Sequence, residues 1–380
     1  MEERARVERL DLPAGRRVIV ISDIHGNIDF FQALLNQVGF CEEDTLIILG
    51  DLLEKGEGSL TLLRHVMDMT QRYDVRMVCG NCDNLAYNFV DCPAQIPESF
   101  YVRYLGKWGK KSILRQMAEE VGLPLRGPED YPALQAAIPR HFPRELAFLR
   151  GLPTMLVSDR YLFVHGGVPR EDRLEELPAW PCMKDDDFVG QYHSFSRWVV
   201  VGHWPVTLYR PHHQSACPLV LPHRHIVSID GGCNLKCDGQ LNALILRWEE
   251  DPVTYESYDG FPLAVAADGQ QGDDDCINIR WSQNPVEVLE YGPEFCRCLH
   301  LASGRTLDIL TDYLYEEGGV TRAEDCTDHK IALRPGDVVS VVRRTSRGAL
   351  VKRDGLSGWY TGRLLPAPPD AKPYFSSLNV

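Results

Sequence analysis

Three short apolar runs near the start of the chain, RRVIVIS, TLIILGD and VRMVCGN, are separated by two segments whose apolar residues recur at helical spacing, IDFFQALLNQVGF and SLTLLRHVMDMTQRY. No other feature restricts the fold as strongly. A β-α-β-α-β order requires parallel strands joined by helical crossovers, and in such sheets functional groups collect just beyond the carboxyl ends of the strands. Each of the three runs ends in a polar cluster: SDIHGN, GDLLEKG and GNCDN. The first helix is expected to stop at a glycine, Gly39, and Ser59 is placed to cap the second.

Residues 84–150 read as helices and loops, with helical patterns in KKSILRQMAEEVG and YPALQAAIPRHFPRELAFLRGL, and form a helical insert expected to lie over the site. Strand signals return in TMLVSDRYLFVHGG, a hairpin turning at Asp159-Arg160, and then in RWVVVGHWP, HIVSID and LNALILRWEEDPVTYESY. Two of these end in histidine. AADGQQGDDDC has the composition of a linker. Beyond it GDVVSVVRRTSRGALVKRDGLSGWYTGRLLP alternates and turns at Gly348 and Asp354-Gly355. It resembles the second half of a small all-β SH3-like barrel, with the first half in VEVLEYGPEFCRCLHLASGRTLDILTDYLY. The expected division is a catalytic domain over 1–265, a linker over 266–277, the barrel over 278–368 and a loose tail over 369–380, with residues 1–265 able to fold alone.

The formal net charge of −14 disfavours non-specific binding to nucleic acid or to an anionic membrane, both polyanions. The opening MEERARVERLDLPAGRRVIVIS has no apolar signal-peptide core, and no apolar run approaches a membrane span. A cytoplasmic protein is expected. Its twelve cysteines follow no framework, so Cys41, Cys92, Cys217, Cys276 and Cys326 are read as reduced core thiols.

The polar residues at strand ends are Asp23, His25, Asp51, Asn81, His165 and His203. Any one of them alone reads as a turn, a cap or a hydrogen-bonded surface histidine. Clusters at the end of five apolar runs in one chain are harder to assign to chance. Carboxylate and imidazole together suit manganese, iron or zinc. Six donors fit two ions sharing one carboxylate, a pair that binds hydroxide at neutral pH and clamps both reacting oxygens of a phosphoryl transfer.

SDIHGN…GDLLEKG…GNCD…VHGG…VGHWP resembles the calcineurin-like metallophosphoesterase superfamily, and is most similar to its bacterial PPP-type branch of Ser/Thr protein phosphatases and symmetric diadenosine tetraphosphatases. The likeness runs over residues 17–245. It implies an α/β fold, a four-layer αββα sandwich, with two divalent metal ions, manganese first and iron or zinc as alternatives. It also implies that Asp23 and His25 hold the first ion, that Asp51 bridges, and that Asn81, His165 and His203 hold the second. CGNC is then no zinc knuckle: Asn81 is the ligand by position and Cys79 ends a buried strand. The implied activity is phosphoester hydrolysis by a metal-bridging hydroxide, on a phosphorylated protein first. A diadenosine tetraphosphate or other nucleotide anhydride, a phosphodiester, and a weakly catalytic metal-binding regulatory module stand as alternatives.

The chain departs from that pattern at three positions. Cys82 stands where the branch has the histidine of GNHE, which pairs with the acid represented here by Glu54 and helps protonate the leaving oxygen. A thiol is a weak donor. GNCD also occurs in phosphodiesterases of the superfamily, whereas GHWP favours the PPP-type branch. Lys55 and Lys184 align with phosphate-gripping arginines, and a lysine is a point charge without the bidentate fork. HHQSACPLVLPHRH, tempting as a metal cluster, is read as a polar loop, and Trp204 as a wall of the site or a packing residue. Trp359 and Tyr360 serve the barrel core or face a peptide partner.

Overall fold

The computed structural model describes residues 3–93, 96–248 and 253–371. The first eleven strands are β1 (Val7–Arg9), β2 (Arg17–Ile21), β3 (Thr45–Ile48), β4 (Asp74–Met77), β5 (Met155–Val157), β6 (Tyr161–Val164), β7 (Trp198–Val201), β8 (Leu219–Leu221), β9 (Ile226–Ser228), β10 (Leu241–Arg247) and β11 (Thr254–Tyr258). They form two sheets, ordered β11-β10-β2-β3-β4 and β1-β5-β6-β7-β9-β8. Strands β2, β3 and β4 are parallel, as the crossovers require, while β10 joins β2 antiparallel. The hairpin expected in TMLVSDRYLFVHGG is present, pairing Met155 with Val164.

Alternation along each strand sorts side chains between layers. Ile19, Ile21, Leu46 and Ile48 pack under α1 (Ile28–Val38) and α2 (Ser59–Met69). Val18, Val20, Ile47 and Leu49 point the other way, onto Leu156, Phe163, Val200 and Val227 of the second sheet. The far face of that sheet, with Leu162, Val164, Val199 and Val201, is covered by Leu174, Cys182 and Phe188 from short helical turns. The layers are therefore helix, sheet, sheet and short helices. Each strand-end cluster lies along one rim, because the parallel strands of both sheets end there.

Helix α1 starts at Asn27, whose side chain accepts from Phe30 N–H, and ends at Gly39, where φ is 62° and the backbone N–H returns to the last turn. Ser59 is not the cap of α2 but its first residue. Its hydroxyl accepts from Glu54 N–H at 2.9 Å and donates to the Gly56 carbonyl at 3.2 Å, so it braces the GDLLEKG loop instead. The insert holds α3 (Leu85–Asp91), α4 (Glu98–Trp108), α5 (Ile113–Glu120), α6 (Tyr131–His141) and α7 (Pro143–Gly151). YPALQAAIPRHFPRELAFLRGL breaks into two helices because Pro143 begins the second.

The C-terminal region is all-β but forms no closed barrel among the described residues. Leu263–Ala266, Val338–Thr345, Gly348–Arg353, Leu356–Tyr360 and Leu364–Pro366 make a five-stranded sheet, and Val286–Glu290, Phe295–His300 and Arg305–Leu310 a separate three-stranded one. The two halves expected to close on each other bury separate cores, Val339, Val351 and Tyr360 in one and Val286, Cys298 and Ile309 in the other. Strand Leu263–Ala266, grouped by sequence with the catalytic domain, pairs with Val338–Ser340 and Leu364–Pro366 instead. The stretch read as a linker is tied down, Gln270 exchanging backbone hydrogen bonds with Leu333. Tyr360 is fully buried with its hydroxyl donating to the Asp268 carbonyl, and the Trp359 indole donates to the Thr327 carbonyl, so both serve the interior. Most of the expected tail, 372–380, lies outside the described residues. Among the described residues no helix is long and apolar enough to cross a membrane.

Candidate metal centre

The six residues singled out at strand ends converge. His25 Nε2 lies 3.8 Å from Asp23 Oδ1 and 3.8 Å from Asp51 Oδ2. His165 Nε2 lies 3.2 Å from Asp51 Oδ1 and 3.3 Å from Asn81 Oδ1. One donor atom each from Asp51, His165 and His203 falls within 4.8 Å of the others. Asp51 thus stands between two imidazoles, one toward each of its oxygens.

The backbone at this rim is held in unusual geometry. Asp23, His25, Asp51, Glu54, Lys55 and His203 all have φ between 49° and 67°. Left-handed backbone costs a non-glycine residue roughly 1–2 kcal/mol, and such outliers gather where function requires them. Glycines make the close approaches: a Cβ on Gly80 would lie 2.3 Å from Asp51 Oδ1 and one on Gly202 would strike Ser22 and Asp23. The turns after β2, β3, β4 and β7 can meet only because those side chains are missing.

Hydrogen bonds aim the rings. His25 Nδ1–H donates to the Leu53 carbonyl at 3.1 Å and His165 Nδ1–H to the Leu49 carbonyl at 2.6 Å, so both turn Nε2 toward the carboxylates. His203 N–H donates to Asp23 Oδ2 at 2.9 Å, and its Nε2–H to Asp186 Oδ1 at 2.9 Å. Burial, helped by Lys55, depresses His25 to about 4. Burial works against the charge on His165 too, but Asp51 and Asp23 outweigh it and raise that ring to about 10. Asp51 is buried, yet His165 and Lys55 hold its pKa well below the usual range.

This donor set fits divalent cations. Asp23 Oδ1 and Asp51 Oδ2 are buried without a hydrogen-bond partner among the described residues, an arrangement that is costly unless a cation satisfies them. Both face imidazole nitrogens. Mixed carboxylate, amide and imidazole donors suit borderline metals.

The remaining sequence candidates are distributed unevenly. Lys55 Nζ sits inside the cluster, 3.3 Å from His25 Nε2 and 3.8 Å from Asp51 Oδ2. Lys184 lies at the mouth, 37% exposed, its ammonium 2.7 Å from the same Asp186 oxygen that accepts from His203. Cys82 is buried, with its N–H donating to Asp51 Oδ1 at 2.8 Å and its sulfur within 4.8 Å of donor atoms of His25 and Asp51. Glu54 does not hydrogen-bond to Cys82. Its Oε1 accepts from Ile113 N–H at 2.9 Å and from the Ser112 hydroxyl at 3.4 Å, so the insert claims it, and burial raises its pKa to about 7. Trp204 meets the C-terminal region through an edge-to-face contact with Trp281, ring centres 6.1 Å apart.

Three acids escaped the sequence reading. Asp83 ties two strand-end turns together, accepting from Gly80 N–H at 2.9 Å and Leu53 N–H at 3.2 Å. Asp230, after β9, accepts from Gly232 N–H at 2.8 Å while its other oxygen has no partner among the described residues. Asp186 orients His203 and Lys184. Asp83 and Asp230 stood inside strand-end runs, GNCD and HIVSID, and that position was the available signal; Asp186, in KDDDF, had none.

The profile of the family described as "Calcineurin-like phosphoesterase" matches residues 16–226. The symmetrical bis(5'-nucleosyl)-tetraphosphatase of Enterobacter sp. (strain 638) is 34% identical over 166 residues, 40% of this chain and 55% of that protein. The enzyme of the same name from Cronobacter sakazakii is 48% identical over 65 residues, 17% of this chain and 22% of that one. The chain thus spans about half or less of the length of these curated relatives. Among solved structures, a putative diadenosine tetraphosphatase is 19% identical with a TM-score of 0.40, covering 67% of this chain and 100% of that one. A protein serine/threonine phosphatase from Saccharomyces cerevisiae is 14% identical with a TM-score of 0.39, covering 68% and 84%. Since the family profile matches more than half of its length, the chain belongs to the calcineurin-like phosphoesterase family.

Proposed function

We propose that this chain hydrolyses phosphoesters at a two-metal centre, with Asp23 and His25 holding one divalent cation, Asn81, His165 and His203 the other, and Asp51 shared. The observation that carries this reading is Asp51 itself: a buried carboxylate whose Oδ2 faces His25 and whose Oδ1 faces His165. A bound metal pair would supply Lewis-acid stabilisation of the phosphoryl charge and acidify water. The chain's own groups do the rest. The Leu49 and Leu53 carbonyls fix the two rings, and Ser22 donates to Asp23 Oδ2 at 2.5 Å and orients it. Lys55 brings positive charge to the point where phosphate oxygens would lie, and Lys184 adds a second ammonium at the mouth. The substrate class put first is a phosphorylated protein. The reading is tested by turnover of aryl phosphate, aryl diester, phosphopeptide and diadenosine tetraphosphate with manganese, with and without chelator. Hydrolysis that chelator abolishes is expected, and a soluble, metal-loaded chain inert on all four would overturn it.

One observation favours a second reading, a phosphoanhydride or another ester with a good leaving group. The position beside Asn81 holds a thiol, and the acid that should assist it gives Oε1 to the insert while its Oε2 has no hydrogen-bond partner among the described residues. Loss of a general acid costs about 10²–10⁴ in rate, less where the leaving group needs little protonation. Cys82→His is accordingly expected to raise phosphoserine-peptide turnover by ~10²-fold while changing aryl phosphate turnover little. Steady-state kinetics on both substrates checks this, with no gain on either pointing to the anhydride. Cys82→Ser should leave metal content unchanged by elemental analysis, and loss of an ion would make the thiol a ligand.

A further inference from the structure

A second cluster of metal-ligating side chains lies outside the centre described above. One nitrogen each from His213 and His329 and the sulfur of Cys276 lie within 4.8 Å of one another. The three come from distant segments. His213 is on the loop after β7, in the stretch read from sequence as a polar loop, and Cys276 closes the Asp-rich stretch and was read as a core thiol. His329 follows the two-residue strand Cys326–Thr327. That strand pairs antiparallel with Asn278–Ile279, Asn278 opposite Thr327. Continuing the register by two residues brings Cys276 opposite His329, so the backbone of the C-terminal region sets this pair, and the catalytic-domain loop contributes the third group.

We infer that His213, Cys276 and His329 form a zinc site that clips the loop after β7 to the C-terminal region. One thiolate with two imidazoles is a borderline-soft set that selects zinc over the hard cations bound by carboxylates alone. Cys276 and His329 are buried, and the His213 and His329 rings meet edge to face with centres 4.9 Å apart. His329 Nδ1–H donates to the Asp273 carbonyl at 3.0 Å, which leaves Nε2 as the unprotonated nitrogen, and the Asp273 carboxylate lies 3.3 Å from the same ring nitrogen. Ligating histidines are held by such partners. Asp273 and Asp274 add negative charge to a cleft of about 560 Å³ that His213 and His329 also line. Zinc bonds of about 2.0–2.3 Å require donors that lie within 4.8 Å of one another to draw closer together. His213, half-buried on a loop, can supply that movement.

The experiment uses the full chain, stripped of metal and titrated with cobalt(II), a spectroscopic stand-in for zinc. A thiolate-to-cobalt charge-transfer band in the near ultraviolet is expected. It should vanish in Cys276→Ser, weaken in His213→Gln with cobalt affinity lower by more than the roughly 10–100-fold that loss of an outer-shell partner costs, and persist in Cys82→Ser, which separates it from the centre at Asp51. Zinc-loaded Cys276→Ser should hold one ion fewer per chain by elemental analysis. Circular dichroism establishes that each variant is folded. If Cys276→Ser does not fold, His213→Gln, whose side chain is partly exposed, decides alone. Absence of the band in the wild-type chain, its survival in Cys276→Ser, unchanged cobalt affinity in His213→Gln or its loss in Cys82→Ser would each overturn the assignment.

Discussion

Asp51→Asn is expected to lower hydrolysis of an aryl phosphate by ~10³-fold or more with any divalent metal. A bound metal pair would stabilise transition-state charge by several kcal/mol, the neutral amide would weaken the hold on both ions, and each ~1.4 kcal/mol is tenfold in rate. The substitution is close to isosteric. An asparagine Oδ1 can still accept from Cys82 N–H, as Asp51 does at 2.8 Å, so the turn after β4 should keep its shape. What is lost is the charge between His25 and His165. The measurement is turnover together with metal content and thermal melting. A folded variant with wild-type turnover would dispose of the shared-carboxylate assignment.

The second large effect is on folding. A chain ending at residue 265 is expected to be insoluble, or to melt well below the full-length protein, against the reading of residues 266–277 as a free linker. Buried polar bonds cross that boundary. Lys352 Nζ donates to the Asp238 carbonyl at 2.7 Å, and Asn278 Nδ2 donates to the Thr207 and Arg210 carbonyls at 2.8 and 2.9 Å. Ala216 N–H donates to the Gly355 carbonyl and Ser357 N–H to the Gln214 carbonyl, both at 2.9 Å, and the Ser357 hydroxyl donates to the Asp238 carboxylate. Each such bond contributes about 0.5–1.5 kcal/mol net, and its loss uncovers the surface that the C-terminal region shields. Several together rival the roughly 5–15 kcal/mol by which a domain is stable. Melting temperature and sedimentation of the truncated chain test this, and a soluble monomer melting with the full-length protein would show that residues 1–265 suffice.

What the linear chain determined by itself was local. Strands β2, β3 and β4, helix α1 with its stop at Gly39, the hairpin through β5 and β6, and the polar residues closing each strand were legible because periodicity, β-branching and turn chemistry act within a few residues. The parallel order then placed Asp23, His25, Asp51 and Asn81 on one rim before any distance was known. Tertiary structure decided everything that depends on which surfaces meet. Glu54 went to the start of α5 rather than to Cys82 because the insert delivers Ile113 N–H to a buried carboxylate, a partner no spacing in GDLLEKG reveals. Asp186 became the brace of His203 only where a loop from the second sheet crosses the rim. The alternating C-terminal strands read as one barrel, since alternation fixes which face of a strand is buried but not which strand lies beside it. Leu263–Ala266 paired with Val338–Ser340 and Leu364–Pro366, and the rest built a separate sheet. His213, Cys276 and His329 met for the same reason: hydrogen-bond register and long-range packing bring together residues that sequence distance keeps apart.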